Sequence, residues 1–285
     1  MLRILPEYSP NQAFSAEDVI ARYRTLGQDH AAPSTSAKYQ HIGTAETLRH
    51  LERNGFAIHG VQVQHAKATS SRAGFEKHMI RLRMPGAPAL ADGTVPEVFM
   101  RNGHDGCSAY ALFAGMFRSF CWNGCVVGAS WGVFKVSHIG QDIPARVLDA
   151  SHKIVDSFVT LRNVIEQWQS IELSPVDQIE FANQAMQLRF PINPETGLLA
   201  APIAPAAVNG ARRDVDRRSD LWHTFNRVQE NLTQGVPGAR GRRGARGLKA
   251  IDSTLNLNRG LFNLATGFAA NMAAPKVEEL AAFAV

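Results

Sequence analysis

Asn102, His104 and Asp105 fall within the run Arg-Asn-Gly-His-Asp-Gly-Cys, which sets a carboxamide, an imidazole and a carboxylate on one glycine-flanked turn. An imidazole beside a carboxylate can act as a general acid and base, or as part of a one-metal phosphoesterase centre. A metal-dependent hydrolase needs further ligands from elsewhere in the chain, which a single His-Asp dipeptide does not supply. The same residues suit a structural turn, because Asn and Asp bond their own backbone and Gly103 and Gly106 permit positive φ. Contact with a nucleic acid is the third reading of this turn. His104 with Cys107, and Cys121 with Cys125, supply ligand types for tetrahedral zinc at spacings of three and four. A helix between the two pairs would hold them about 20 Å apart at 1.5 Å rise per residue. Free thiols are therefore expected and no metal is assigned. Cys121 sits between Phe120 and Trp122, neighbours that imply burial rather than an activated thiolate.

Cations offer a second chemistry. In a strand over 75–84, Lys77, Arg81 and Arg83 share one side, and Arg101 joins them if the strand over 97–102 pairs in the expected register. With Phe99 as a stacking surface, such a face can neutralise phosphates and hold bases, as sequence-tolerant single-strand binding requires. An ordinary solvated sheet face is the competing reading. Residues 238–249, GARGRRGARGLK, carry Arg240, Arg242, Arg243, Arg246 and Lys249 with no acidic residue among them. Glycines there let the backbone follow a phosphate chain; a flexible solvated loop is the alternative. Trp222 and Phe225 could stack on bases, but Leu221 and Val228 at helical spacing make them core residues. Phosphate-loop and dinucleotide fingerprints are absent, so no cofactor is expected.

The positioning elements follow from periodicity. A first helix covers 15–26, and Thr44 caps a second that Gly55 ends with a left-handed residue. Three strands follow at 56–64, 75–84 and 97–102, with Gly60 marking a bulge. Residues 108–121 are apolar nearly all round and read as a buried helix, with Arg118 as the exception. Another strand spans 125–136 and one long helix 145–171. Ser174, Pro175 and Asp177 open a helix that runs to about 188. Later helices cover 220–232 and 258–270. The fold class is α+β: a mainly antiparallel sheet with a buried central helix and flanking long helices. The expected division is an α+β core over 1–190, an Ala/Pro-rich linker or crossing segment over 191–217, and a helical, Arg/Gly-containing segment over 218–285.

A chain of 285 residues with 45% hydrophobic content can bury a sizeable core, so disorder is excluded. No run reaches the roughly 18 apolar residues of a membrane span, and residues 1–13 lack a secretory pattern. Three cysteines cannot all pair. A cytoplasmic protein of a bacterial host, with no membrane partner, is expected. The net charge of +5 matters less than its uneven placement.

Several segments together resemble the YfjQ/YafZ-like family of prophage and plasmid proteins, whose molecular function is unassigned. Residues 38–56, KYQHIGTAETLRHLERNGF, resemble its entry segment, and HMIRLR at 78–83 its second strand. RNGHDGCSAY is similar to its Asn-Ser-His-Asp-Gly turn, carrying Asn102, His104, Asp105 and Gly106. GMFRSFCWNG carries Arg118, Cys121, Asn123 and Gly124 of its next motif. The late helix carries Trp222, Asn226, Gln229, Glu230 and Asn231 of its "DLW, FN-VQEN" pattern. This sequence departs from the family at Gly103, where Ser is usual, and at Cys107 and Cys125, where other residues are usual. Strand-strand-strand-helix with basic strand faces also resembles the core of single-strand annealing recombinases, a likeness of topology alone. The expectation is a non-enzymatic, oligomeric protein of a mobile element that binds single-stranded DNA and acts in annealing or recombination. The alternatives are a protein that binds host proteins to modulate defence, and a metal-dependent nuclease using His104 and Asp105.

Overall fold

Alternation of period two over residues 57–102 produces an antiparallel meander of β1 (Ala57–Val63), β2 (His78–Arg83) and β3 (Thr94–Asn102). β4 (Ala111–Arg118) extends it, and β5 (Asn123–Val126) and β6 (Val133–Lys135) pair along the far edge of β4. The computed structural model describes residues 12–37, 39–64, 66–84, 86–87, 89–90, 92–118, 123–126, 133–135, 143–238 and 243–273. The β1–β2 register slips between Ile58 and Gly60, the bulge that Gly60 signals. Pro96 lies opposite Met116 of β4, outside the Val98–Asn102 stretch over which β3 also pairs with β2.

Residues 111–118 are not the helix their apolar run suggests. The segment is a strand bonded to β3 on one edge and to β5 and β6 on the other, with all eight residues buried. A strand buried on both faces reads as an unbroken apolar run, which periodicity cannot separate from a buried helix. Pairing on both edges overrides the helix propensity of Ala, Leu and Met.

The helix that backs the sheet is α3 (Ile143–Asp156), which lies against β3 and β4 through Val147, Ala150 and Ile154. α1 (Ala16–Arg22) and α2 (Thr44–Arg53) complete that side, and Gly55 at φ +89° ends α2 as its position predicts. The long helix expected over 145–171 is interrupted at Ser157, whose N–H and hydroxyl both bond the Ile154 carbonyl, and α4 (Phe158–Ser170) starts afresh. The Ser174–Asp177 capping box opens α5 (Pro175–Gln187) as expected. α6 (Pro205–Val208), α7 (Leu221–Gln234), the ribbon β7 (Gly235–Val236) and β8 (Ala245–Arg246), and α8 (Ile251–Ala273) follow.

The chain forms two compact units. One comprises Met1–Leu161 with Lys249–Leu255, the other Arg162–Leu248 with Asn256–Val285. In the first, side chains of one sheet face (Ile80, Leu82, Val98, Met100, Leu112) are buried on the side of α2 and α3. On the opposite face, Met79, Phe99, Ala111 and Phe113 pack against Ile251 and Leu255 of the first turns of α8. The second unit is built on an aromatic core in which Trp168 meets Trp222, Phe225 and Phe262 at ring distances of 6.4, 5.6 and 4.9 Å. Trp222 and Phe225 are fully buried there.

Candidate nucleic-acid interface

Strand register sets Arg81 of β2 opposite Phe99 of β3, and Met79 opposite Arg101, so Lys77, Arg81, Arg83 and Arg101 do share one face. None of the four stands alone. Glu97 lies on the same face two residues before Phe99, is completely buried, and takes both arginines. Arg81 donates two bonds to it, 2.7 and 3.0 Å, and Arg83 donates one of 2.7 Å. The Arg81 guanidinium also stacks on Phe117, 3.2 Å from the ring centre. Lys77 and Arg101 converge on one carboxylate, Asp252 in the first turn of α8, Arg101 at 2.9 Å. His59, the bulged residue of β1, is held neutral, its pKa pushed down to about 4 by burial and then by Arg83 and Arg81.

The Asn102–Gly106 turn is fixed by local bonds and buried contacts. Asp105 accepts from the Cys107 N–H at 3.0 Å, closing an Asx turn. Gly106 has the positive φ expected of it, +73°. Gly103 does not; a Cβ there would lie 3.2 Å from the Lys77 Cα, a tight contact that a shift of a few tenths of an ångström relieves. Thr44 does not cap α2. Gly43 holds the cap position, and the Thr44 hydroxyl sits at the centre of a buried polar cluster. It lies 2.9 Å from His78 Nε2, 3.3 Å from His104 Nε2 and 2.9 Å from the Asn102 amide nitrogen, which donates to it. His78 Nδ1 faces the Glu76 carbonyl at 2.9 Å and must donate. A neutral His78 then accepts from the hydroxyl, which in turn accepts from Asn102 and His104, using its one donor and two acceptor sites. Burial is the main cause holding both imidazoles neutral: His78 falls to about 4 and His104 is driven well below its ordinary range. His104 is fully buried and lies ring to ring with His41 at 4.5 Å and His78 at 5.4 Å. Among the described residues no group of three or more His, Cys, Asp or Glu is arranged to hold a metal ion. Cys107 is an exposed free thiol, while Cys121 and the Cys125 side chain lie outside the described residues.

Arg118 is buried at the end of β4, opposite Thr94 and Asn123, while Gly124 pairs with Phe117. The motif residues of α7 hold its surroundings together. Asn226 back-bonds the Trp222 carbonyl, Gln229 donates to Asn258 at 2.7 Å, and Glu230 receives Arg213 at 2.8 Å. Asn231 donates to the Val208 and Gly210 carbonyls and accepts from Arg212. Sequence reading missed Arg227, nearly fully buried, which donates to the Asp216 and Arg218 carbonyls and to Asn209, Gln178 and Thr224. Nothing in its place between Asn226 and Val228, in a helix of mixed polar and apolar residues, marked it out.

Within the Gly/Arg run, Ala245 and Arg246 form β8, which pairs with β7 just before the run to make a short ribbon. Its glycines are needed by contact as well as by conformation: a Cβ on Gly244 would lie 2.2 Å from the Val236 carbonyl oxygen, and one on Gly235 2.4 Å from that of Ala245. Arg243, Arg246 and Lys249 are exposed and pair with no described carboxylate. Arg240 and Arg242 lie outside the described residues.

An antiparallel meander with helices on one side and the start of α8 on the other defines an α+β protein. Among the described residues no helix is long and apolar enough to cross a membrane. The chain belongs to the family described as domain of unknown function DUF932, whose model matches residues 32–262. It is 34% identical to the UPF0380 protein YfjQ of Escherichia coli K12 over 268 residues, covering 88% of this chain and 94% of the relative. It is 33% identical to the UPF0380 protein YafZ of the same strain with the same coverage. No solved structure matches the chain.

Proposed function

We propose that this protein binds single-stranded nucleic acid without acting on it chemically, and that the β7–β8 ribbon makes the first contact with the phosphate backbone. What supports the reading is the contrast between two sets of cations. Those of the sheet face are taken up by Glu97 and Asp252, whereas Arg243, Arg246 and Lys249 are exposed and have no described carboxylate partner. Unneutralised cations on a glycine-rich ribbon suit a ligand recognised by charge rather than by base edges. DNA held by an oligomer, with annealing of complementary strands as the outcome, is the form of this function we favour. Replacing Arg243, Arg246 and Lys249 with Ala should weaken binding to an oligo-dT and flatten the log-log salt dependence by about 0.7 for each lost phosphate contact. Unchanged affinity and slope in the folded variant would remove the ribbon from the interface.

One observation favours a second reading, that the partner is a host protein. Ile192 and Leu198 flank a small bridged turn and are 55% and 69% exposed, which is unusual for large apolar side chains so close together. Loss of a protein partner, with nucleic-acid binding intact, on changing both to Ser would favour that reading.

A further inference from the structure

The sheet cations and the start of α8 meet on one face. Among the described residues four cations, Lys77, Arg81, Arg83 and Arg101, share this face with two carboxylates, Glu97 and Asp252. Glu97 belongs to the sheet itself, is fully buried and holds Arg81 and Arg83 at short range. Asp252 is different. It comes from a helix start 151 residues beyond Arg101, and its side chain is 43% exposed. Arg101 is left with a buried Nε–H that no acceptor among the described residues meets. Beside these groups, Ile251 and Leu255 share one buried cluster with Phe99 and Phe113, and the Arg101 guanidinium lies 5.5 Å from the Phe113 ring centre. An anion clasped by two cations, next to apolar groups clustered with two aromatic rings, repeats what one nucleotide offers: a phosphate and a base.

We propose that the face carrying Lys77, Phe99, Arg101 and Phe113 is a second binding surface for single-stranded nucleic acid, occupied in this structure by the first turns of α8. Asp252 stands in the phosphate position, and Ile251 with Leu255 in the position of a stacked base. A phosphodiester offers the same single charge and two acceptor oxygens as the carboxylate, and the phosphates that follow it along a strand bring further anionic acceptors to the two cations and to the unmet Arg101 donor. A bound strand competes with residues 251–255 for the sheet. This inference rests on the nucleic-acid reading above, but on different residues.

The test uses the full chain and a labelled oligo-dT across a salt titration, in a background where Arg243, Arg246 and Lys249 are already Ala, so that ribbon binding does not contribute. There, Asp252→Asn should raise affinity at least tenfold and steepen the salt slope by about 1.4, for two newly engaged phosphates. Asp252→Glu, which keeps the charge, should not. Adding Lys77→Ala and Arg101→Ala should abolish the gain. A cooperatively melting Asp252→Asn variant with unchanged affinity, or a gain that survives loss of Lys77 and Arg101, overturns the proposal. Should Asp252→Asn fail to fold, amide exchange on the wild-type chain decides instead. Saturating oligo-dT should accelerate exchange over residues 251–255, and unchanged protection there overturns the proposal. Failure of the ribbon variant in the preceding section, with success here, would move the first contact without removing the sheet surface.

Discussion

Arg81 grips Glu97 with two bonds of 2.7 and 3.0 Å across the β2–β3 pair, and Glu97 has no exposed surface. The relationship turns what reads as a solvated basic strand face into a buried ionic array. Reversing Arg81 and Arg83 to Glu would set three carboxylates together under Phe117. Breaking a buried pair from one side costs about 3 to 5 kcal/mol, because the remaining charge stays buried without compensation. The double reversal is therefore expected to unfold the first unit, and Glu97→Ala to lower the urea midpoint strongly. A folded, fully stable Arg81→Glu, Arg83→Glu protein would show that the array is dispensable.

The buried histidines make stability fall in acid. His78 and His104 have folded-state pKa values depressed below the unfolded value of about 6.5, so the unfolded chain binds more protons as the pH drops. Their contribution is fully present above that value and is lost as pH falls from there toward 4, the folded pKa of His78. By pH 5 His78 alone should remove roughly 2 kcal/mol. Urea unfolding at pH 7.5 and pH 5 reads this directly, and His78→Gln should flatten the difference. Thr44→Val, which leaves His78 and Asn102 without their shared hydroxyl, should cost about 1 to 3 kcal/mol at neutral pH. Equal stability at both pH values in the wild-type protein would contradict the neutral hub.

Ribbon geometry gives a third prediction. An alanine at Gly244 would bring its Cβ within 2.2 Å of the Val236 carbonyl oxygen, and one at Gly235, at φ +89°, within 2.4 Å of the Ala245 carbonyl oxygen. Either change must spread the ribbon. Amide exchange at Val236 and Arg246 should accelerate by more than tenfold in Gly244→Ala, with weakened oligo-dT binding although no charge is lost. Protection equal to the wild type would show that the glycines are there for another reason.

Much of this architecture is readable from local pattern. Period two set Arg81 and Arg83 on one side of β2, Gly60 marked the bulge, and Ser174 with Asp177 marked the start of α5. Glu97 was readable too, since residues 97, 99 and 101 share a face in any strand. Three things were not. β4 is decided by partners on both edges, which its own residues do not encode. The Thr44 hydroxyl could cap a helix or centre a cluster, and only the arrival of His78, Asn102 and His104 from distant strands chooses between them. Asp252 meets Lys77 across 175 positions, a pairing no local spacing announces.

The central claim is that single-stranded nucleic acid is held by unneutralised cations, and the salt dependence of wild-type binding tests it most directly. With Arg243, Arg246 and Lys249 engaged, the log-log slope for an oligo-dT should be at least about −2, so affinity should fall roughly fifteenfold between about 50 and 200 mM salt. No measurable binding at the lowest salt, or an affinity that does not change with salt, would contradict the account.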